Sequence, residues 1–170
     1  MRFDHEGQDP RTVFTERLAI AGEQDGLPRI AGRIIGFLFV HEGAYSLDDL
    51  AEALQISKAS VSTNARMLED KGIVVRTSSP GDRRDYYEIA HGHWEKFIQN
   101  SQRKVKVFLD LVESTLAVMP VEHRRARRRL TEAALFYRFM LGRIAETESA
   151  WREVLREAEQ SGSLNDGEET

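Results

Sequence analysis

The chain has 170 residues, with 24 Lys or Arg against 28 Asp or Glu, a formal charge of −4 and no cysteine. That length suits a domain with a real core, and 31% charged beside 41% hydrophobic residues is a globular composition. The missing cysteines exclude a disulfide framework, a thiolate nucleophile, a zinc–thiolate site and a thiol redox sensor. Net acidity argues against coating nucleic acid by charge alone but leaves room for a local basic surface.

Residues 1–10 are polar and acidic, without the basic and apolar regions of a secretory signal. The most apolar stretch, residues 27–40, is too short for a membrane span and carries Arg29 and Arg33. A cytoplasmic protein with no membrane partner is expected. Asp9 followed by Pro10 reads as an N-cap and a first helical position. Val13, Phe14, Arg17, Leu18, Ile20 and Ala21 then make an amphipathic helix that stops before Gly22 or Gly26. A second helix runs from Leu27-Pro28 to about His41, apolar on most sides, with Gly32 and Gly36 spaced for close helix contact.

A polar break over residues 42–45 precedes Ser46-Leu47-Asp48-Asp49, a capping box with Asp49 in the place of Glu or Gln. Leu47, Leu50, Ala51 and Leu54 are the buried face of the short helix it opens. After the turn Gln55-Ile56-Ser57, Ser57 caps another helix, which ends at Gly72 and turns Val61, Ala65 and Leu68 inward. Two short helices about a tight turn form the helix-turn-helix pattern. Periodicity then becomes strand-like at Ile73-Val74-Val75, with turn chemistry at Ser79-Pro80-Gly81-Asp82 and a returning strand at Asp85-Tyr86-Tyr87-Glu88-Ile89. A hairpin directly after a helix-turn-helix is a wing.

Two long helices fill the last half. Ile98, Ser101, Val105, Phe108, Val112 and Thr115 mark the seam of one; Leu130, Ala134, Tyr137, Leu141, Ile144, Glu148, Trp151, Leu155 and Ala158 mark the other. Sustained spacing of this kind predicts coiled-coil-like packing. Glu148 interrupts the seam, so it is expected at an edge, paired, or facing a cavity. The fold class is mainly α: a winged helix-turn-helix domain with a two-stranded β-wing, flanked by long N- and C-terminal helices. The expected parts are an N-terminal helix over 1–25, the winged domain over 26–90, the C-terminal helices over 91–160 and a disordered acidic tail over 161–170.

The stretch from Gly26-Leu27-Pro28-Arg29-Ile30-Ala31-Gly32, through Ser57-Lys58-Ala59-Ser60-Val61-Ser62-Thr63-Asn64, to Pro80-Gly81-Asp82-Arg83-Arg84-Asp85-Tyr86-Tyr87 resembles the MarR family of winged helix-turn-helix regulators. The resemblance is strongest to the family's GbsR-like branch and includes the Asp-x-Arg wing signature at Asp82 and Arg84. It implies a transcriptional regulator, a repressor, acting as a homodimer: the terminal helices, over 1–25 and 91–160, interlock as dimerisation helices, and two winged domains read a pseudo-palindromic operator in double-stranded DNA. Thr63 stands where many members carry arginine, so their base preference is not carried over. The branch also implies control by a small-molecule effector such as a quaternary ammonium compound.

The recognition helix must present donors and small polar groups to base edges and phosphates. Lys58, Ser60, Ser62, Thr63, Asn64 and Arg66 do so between the inward residues, and Ser57 and Ser60 can serve phosphates as well as cap. Asn64 suits an adenine, and Arg66 a guanine or a phosphate. Arg83 or Arg84 at the wing tip can enter the adjacent minor groove, with Asp82 as brace. From residue 57 to 84 six bases outweigh three acids, whereas the first 25 residues carry three bases and six acids.

The other basic cluster, from His123 to Arg129, spreads around its helix and reads as a solvated helix start rather than a phosphate site. An effector would take an aromatic cage, for which Phe37, Phe39, Tyr45, Trp94, Phe97, Phe136 and Tyr137 are candidates; aromatics at helical spacing also serve as core. His91 and His93 lack companions for a metal site, no catalytic constellation appears, and neither cofactor nor enzyme activity is expected. The alternative to a DNA-binding regulator is a winged-helix module that binds protein without specific DNA contact.

Overall fold

The computed structural model describes residues 7–78 and 81–164. In chain order the elements are α1 (Pro10–Gln24), α2 (Arg29–Val40), β1 (Tyr45–Ser46), α3 (Leu47–Leu54), α4 (Lys58–Asp70), β2 (Val74–Ser78), β3 (Asp85–Ile89), α5 (His93–Val118) and α6 (Arg124–Gln160). They divide between two compact units, the first ending at Lys96 and the second starting at Phe97. Among the described residues, no helix is long and apolar enough to cross a membrane.

In the first unit, the Asp9 carboxylate accepts from the Arg11 amide at 3.1 Å and opens α1 with Pro10 in the first turn. The helix passes through Gly22 and ends at Gln24, later than the first of the expected stops. The Leu27 amide returns to the Gly22 carbonyl at 2.9 Å, and Gly26 takes the left-handed φ of 78°. α1 lies on α2 at close range. A Cβ on Gly32 would sit 2.6 Å from the Ala19 Cα, and one on Gly36 2.7 Å from the Thr15 Cα. The side chain of Arg33 donates across the same contact to Glu16 at 2.6 Å. α1 thus packs on α2 within the first unit.

α2 is the spine of the core. Ala31, Ile34, Ile35 and Leu38 from it meet Leu50 and Leu54 of α3, Val61, Ala65 and Leu68 of α4, Val74 of β2 and Tyr87 of β3. The α3–α4 turn is tight because Gln55 adopts the left-handed region at φ 54°, with its amide bonded back to the last turn of α3. The capping box of α3 is complete: the Asp49 amide donates to the Ser46 hydroxyl at 3.2 Å, and the Ser46 amide to Asp49 Oδ2 at 2.9 Å.

The sheet has three antiparallel strands in the order β1-β3-β2, one more than the expected hairpin. Tyr45 pairs with Tyr87 and Ser46 with Tyr86, so the end of the expected polar break is the added strand. Two residues are too few for alternation to register in a sequence; the strand exists because β3 offers its free edge. On the other edge Val74 pairs with Ile89 and Ser78 with Asp85. Of the expected wing turn, Ser79 and Pro80 lie outside the described residues, and Gly81 takes a φ of 86°.

The second unit is built from α6 and the part of α5 beyond Lys96, running antiparallel. Arg127 donates to the Leu116 carbonyl at 3.0 Å and to that of Met119, closing the C-terminal end of α5. Tyr137 stacks on Phe108 with centroids 5.8 Å apart, and Arg138 reaches Glu113 at 2.8 Å. Glu148 is paired: Arg152 donates to it at 2.5 Å and Gln99 at 3.3 Å. Phe108, expected on the seam, meets the α6 seam residue Tyr137 while staying 53% exposed, and its neighbour Leu109 is buried. Of the expected tail, residues 161–164 form a turn and residues 165–170 lie outside the described residues.

Candidate nucleic-acid interface

α4 begins where Ser57 accepts the Ser60 amide at 3.2 Å and donates its own hydroxyl to Ser60 Oγ at 2.9 Å. With Val61, Ala65 and Leu68 buried, the polar side chains are left on the outer face. Ser57, Lys58, Thr63 and Arg66 are exposed, and Ser60, Ser62 and Asn64 half-buried. Several are tied back to their own helix. Thr63 donates to the Ala59 carbonyl at 3.0 Å, and Asn64 Nδ2 to the Ser60 carbonyl at 2.8 Å. Arg66 donates to the Ser62 carbonyl at 3.2 Å and to its hydroxyl at 3.0 Å. Lys58 leans on α3, its Nζ 2.8 Å from Asp48 Oδ1. An exposed pair of this kind contributes less than about 1 kcal/mol and opens readily.

At the wing, Asp82 gathers four donors. Its Oδ1 takes the Arg84 amide at 2.9 Å, while Oδ2 takes Arg84 Nε at 2.9 Å, Nη2 at 2.7 Å and the Tyr86 hydroxyl at 2.7 Å. Arg84 Nη2 also donates to the Tyr86 oxygen at 2.6 Å, and the guanidinium carbon lies 5.3 Å from the ring centroid. These bonds hold the Asp82 carboxyl well below the usual carboxylate range, chiefly through the Arg84 side chain. They raise Arg84, through Asp82, above its ordinary value. The hydrogen bond to Asp82 pushes the Tyr86 phenol up.

Arg84 is left with its Nη1 donors unpartnered among the described residues, and exposed Arg83 makes no ion pair there. A third wing arginine, Arg76, bridges Glu69 at 3.6 Å and Asp85 at 3.3 Å; the bond to Asp85 raises its pKa. The structure thus joins Asp82 and Arg84 as the sequence motif suggests. It adds Tyr86, Asp48 and Arg76, which sequence reasoning had not selected. Tyr86 alternates with buried Tyr87 on β3, a period-2 signal that could have marked it as outward-facing.

The candidate cage residues fall in both units. Phe37 meets Tyr45 edge-on with centroids 4.9 Å apart and stacks on His41 at 4.0 Å. Phe39 of α2 meets Trp94 at 6.3 Å and His93 at 5.3 Å, both at the start of α5, as a separate cluster. His93 Nδ1 pairs with the Ala90 carbonyl at 3.0 Å, and its Nε2 is buried with no partner among the described residues. Phe97, Phe136 and Tyr137 belong to the second unit, where Phe136 and Tyr137 lie 5.6 Å apart.

Residues 25–85, which span α2 to the wing, match the MarR family model, and residues 92–156 match that of MmpR5-like MarR family transcriptional regulators. The regulator MmpR5 of Mycobacterium tuberculosis is 32% identical over 131 residues, covering 76% of this chain and 79% of its own length. The chain belongs to the MarR family. It is a transcriptional regulator of MarR type with a DNA-binding winged helix, in a family of regulators rather than enzymes. The repressor GbsR of Bacillus subtilis is 27% identical over 115 residues, covering 65% of this chain and 63% of its own. A transcriptional regulator of known crystal structure superposes with a TM-score of 0.75 at 27% identity, over 85% of this MarR-family chain and 99% of the other.

Proposed function

We propose that this MarR-family chain is a homodimeric repressor of the GbsR-like branch that binds a pseudo-palindromic operator in the cytoplasm. The observation that carries the reading is the wing: a carboxylate and a phenol hold one arginine while leaving its outer donors free, beside a recognition helix faced with small polar groups. Arg84 and Arg83 would enter a minor groove, where arginine senses width. Lys58, Ser57, Ser60 and Ser62 would meet phosphates, and Thr63, Asn64 and Arg66 base edges in the major groove. The back-bonds of Asn64 and Arg66 would be exchanged for base contacts, at little net cost because both states are hydrogen-bonded.

The dimer is supported by the apolar surface of the second unit. Leu111, Val118, Leu135 and Phe139 are each at least 60% exposed there, more than a lone helical hairpin keeps in water. Two half-sites would then lie about one DNA turn, roughly 34 Å, apart. A small-molecule effector would bias the separation of the two winged domains, and Phe39 and Trp94, both half-exposed, offer ring faces to a quaternary ammonium group.

Footprinting of the full chain on its own upstream DNA tests this reading. It should protect a site with two-fold symmetry, and protection should weaken in Arg84→Ala. Sequence-blind binding, together with a protein partner recovered instead, would favour the protein-interaction module.

A further inference from the structure

α6 carries its charges the wrong way round for a helix standing alone. Arg124, Arg125, Arg127, Arg128 and Arg129 crowd its first two turns, where the helix dipole is positive, and Glu157 and Glu159 sit in its last, where it is negative. Arg127 is committed to the carbonyls of α5. The other four arginines and the two glutamates are exposed and pair with no other described residue. Midway between the ends is Gly142, where a Cβ would meet nothing within 4 Å. Packing inside the chain thus gives no reason for a glycine that weakens a helix interior. On one side of it lie exposed Leu135 and Phe139; on the other, exposed Ala145 and Ser149.

We infer that α6 pairs antiparallel with α6 of a second copy, the two crossing at Gly142. This rests on the homodimer reading and names its central contact. In a two-fold contact each residue faces the one equally far beyond the axis. Phe139 then faces Ala145 of the other copy and Leu135 faces Ser149, large against small on both sides of the crossing. Glu132 faces Arg152, and Arg125 faces Glu159. Arg128 is the exception, opposite Arg156 but one residue from Glu157. The antiparallel arrangement sets each basic, dipole-positive end against an acidic, dipole-negative one, which removes the conflict both ends suffer alone. Glycine at the crossing lets the backbones approach closely.

The absence of cysteine makes single-cysteine variants of the full chain clean reporters. Under mild oxidation Gly142→Cys should cross-link to its own counterpart. Ser149→Cys should not, since its counterpart lies about 21 Å away along the helix axis. In sedimentation, Arg125→Glu should weaken the dimer about tenfold, two exposed pairs being replaced by repulsion, and R125E/E159R should restore it. Should the Gly142→Cys side chain itself prevent association, the charge exchange decides the matter. A wild-type dimer in which Gly142→Cys links no faster than Ser149→Cys, or in which R125E/E159R recovers nothing, overturns this pairing and leaves the homodimer standing. A wild-type monomer at micromolar concentration overturns both.

Discussion

Arg84 and Asp82 are joined three times over, by the Arg84 amide at 2.9 Å and by its Nε and Nη2 at 2.9 and 2.7 Å. Residues two apart in a turn thereby fix one another, and the Tyr86 hydroxyl locks the pair from the neighbouring strand at 2.7 Å. The consequence is preorganisation: on the proposed reading, a long cationic side chain would arrive at DNA with much of its rotamer freedom already spent.

Asp82→Asn should therefore weaken operator binding more than the loss of a negative charge near phosphates would strengthen it. A net loss of about tenfold is expected, as for one charge-assisted hydrogen-bond set. Tyr86→Phe should lose less, since the Asp82–Arg84 bonds survive. Fluorescence anisotropy on the operator checks both, and thermal melting should change little because Arg84 is exposed and Asp82 and Tyr86 are only half-buried.

The brace should be indifferent to pH over the physiological range. Asp82 titrates lower in the folded chain than in the unfolded one, through Arg84, so its contribution is fully present above the unfolded value near 4 and is lost as pH falls through the lower folded value. Asp49, lowered by the Ser46 hydroxyl and amide, behaves alike. Operator affinity at fixed salt should stay flat from about pH 5 to 8 on this account of the carboxylates. A wing that loosens within that range, seen in the NMR signal of Arg84 Nε, would contradict the network.

Asp48 holds the Lys58 Nζ at 2.8 Å, and on the proposed reading it would compete with DNA for that ammonium. Asp48→Asn should tighten binding a few-fold at low salt and lose that advantage as salt rises, the pair being exposed. Lys58→Ala should weaken binding to all sequences alike and reduce the salt slope by about 1. A titration across salt concentrations measures both.

Gly32→Ala and Gly36→Ala should each destabilise the first unit by about 1–3 kcal/mol, because the added methyl meets backbone rather than a yielding side chain. Chemical denaturation reads this directly.

Local signals carried most of the fold. The capping box at Ser46 and Asp49, the Ser57 cap, the inward triad Val61, Ala65 and Leu68, and the Asp82–Arg84 motif all depend on residues a few positions apart, and all are found in the structure. What escaped depends on partners far along the chain. β1 is a strand only because β3 lies beside it, and Lys58 meets Asp48 only because the helix-turn-helix folds back. The spacing that puts Phe108 on the α5 seam is met by its stacking on Tyr137, while Leu109, one position on, takes the buried place; a long helix drifts against a strict heptad. The back-bonding of Asn64 and Arg66 was equally invisible, since any outward polar residue can choose between solvent and its own helix.

The most direct test is a salt series comparing the upstream site with a scrambled duplex, for the wild-type chain and for a variant with Lys58, Arg66 and Arg84 changed to Ala. The wild type should favour its site by at least about a thousandfold near physiological salt, and the variant should lose both that preference and much of the salt slope. Equal affinity of the wild type for both duplexes, or a variant that binds as the wild type does, would contradict a regulator that reads DNA through this helix and wing.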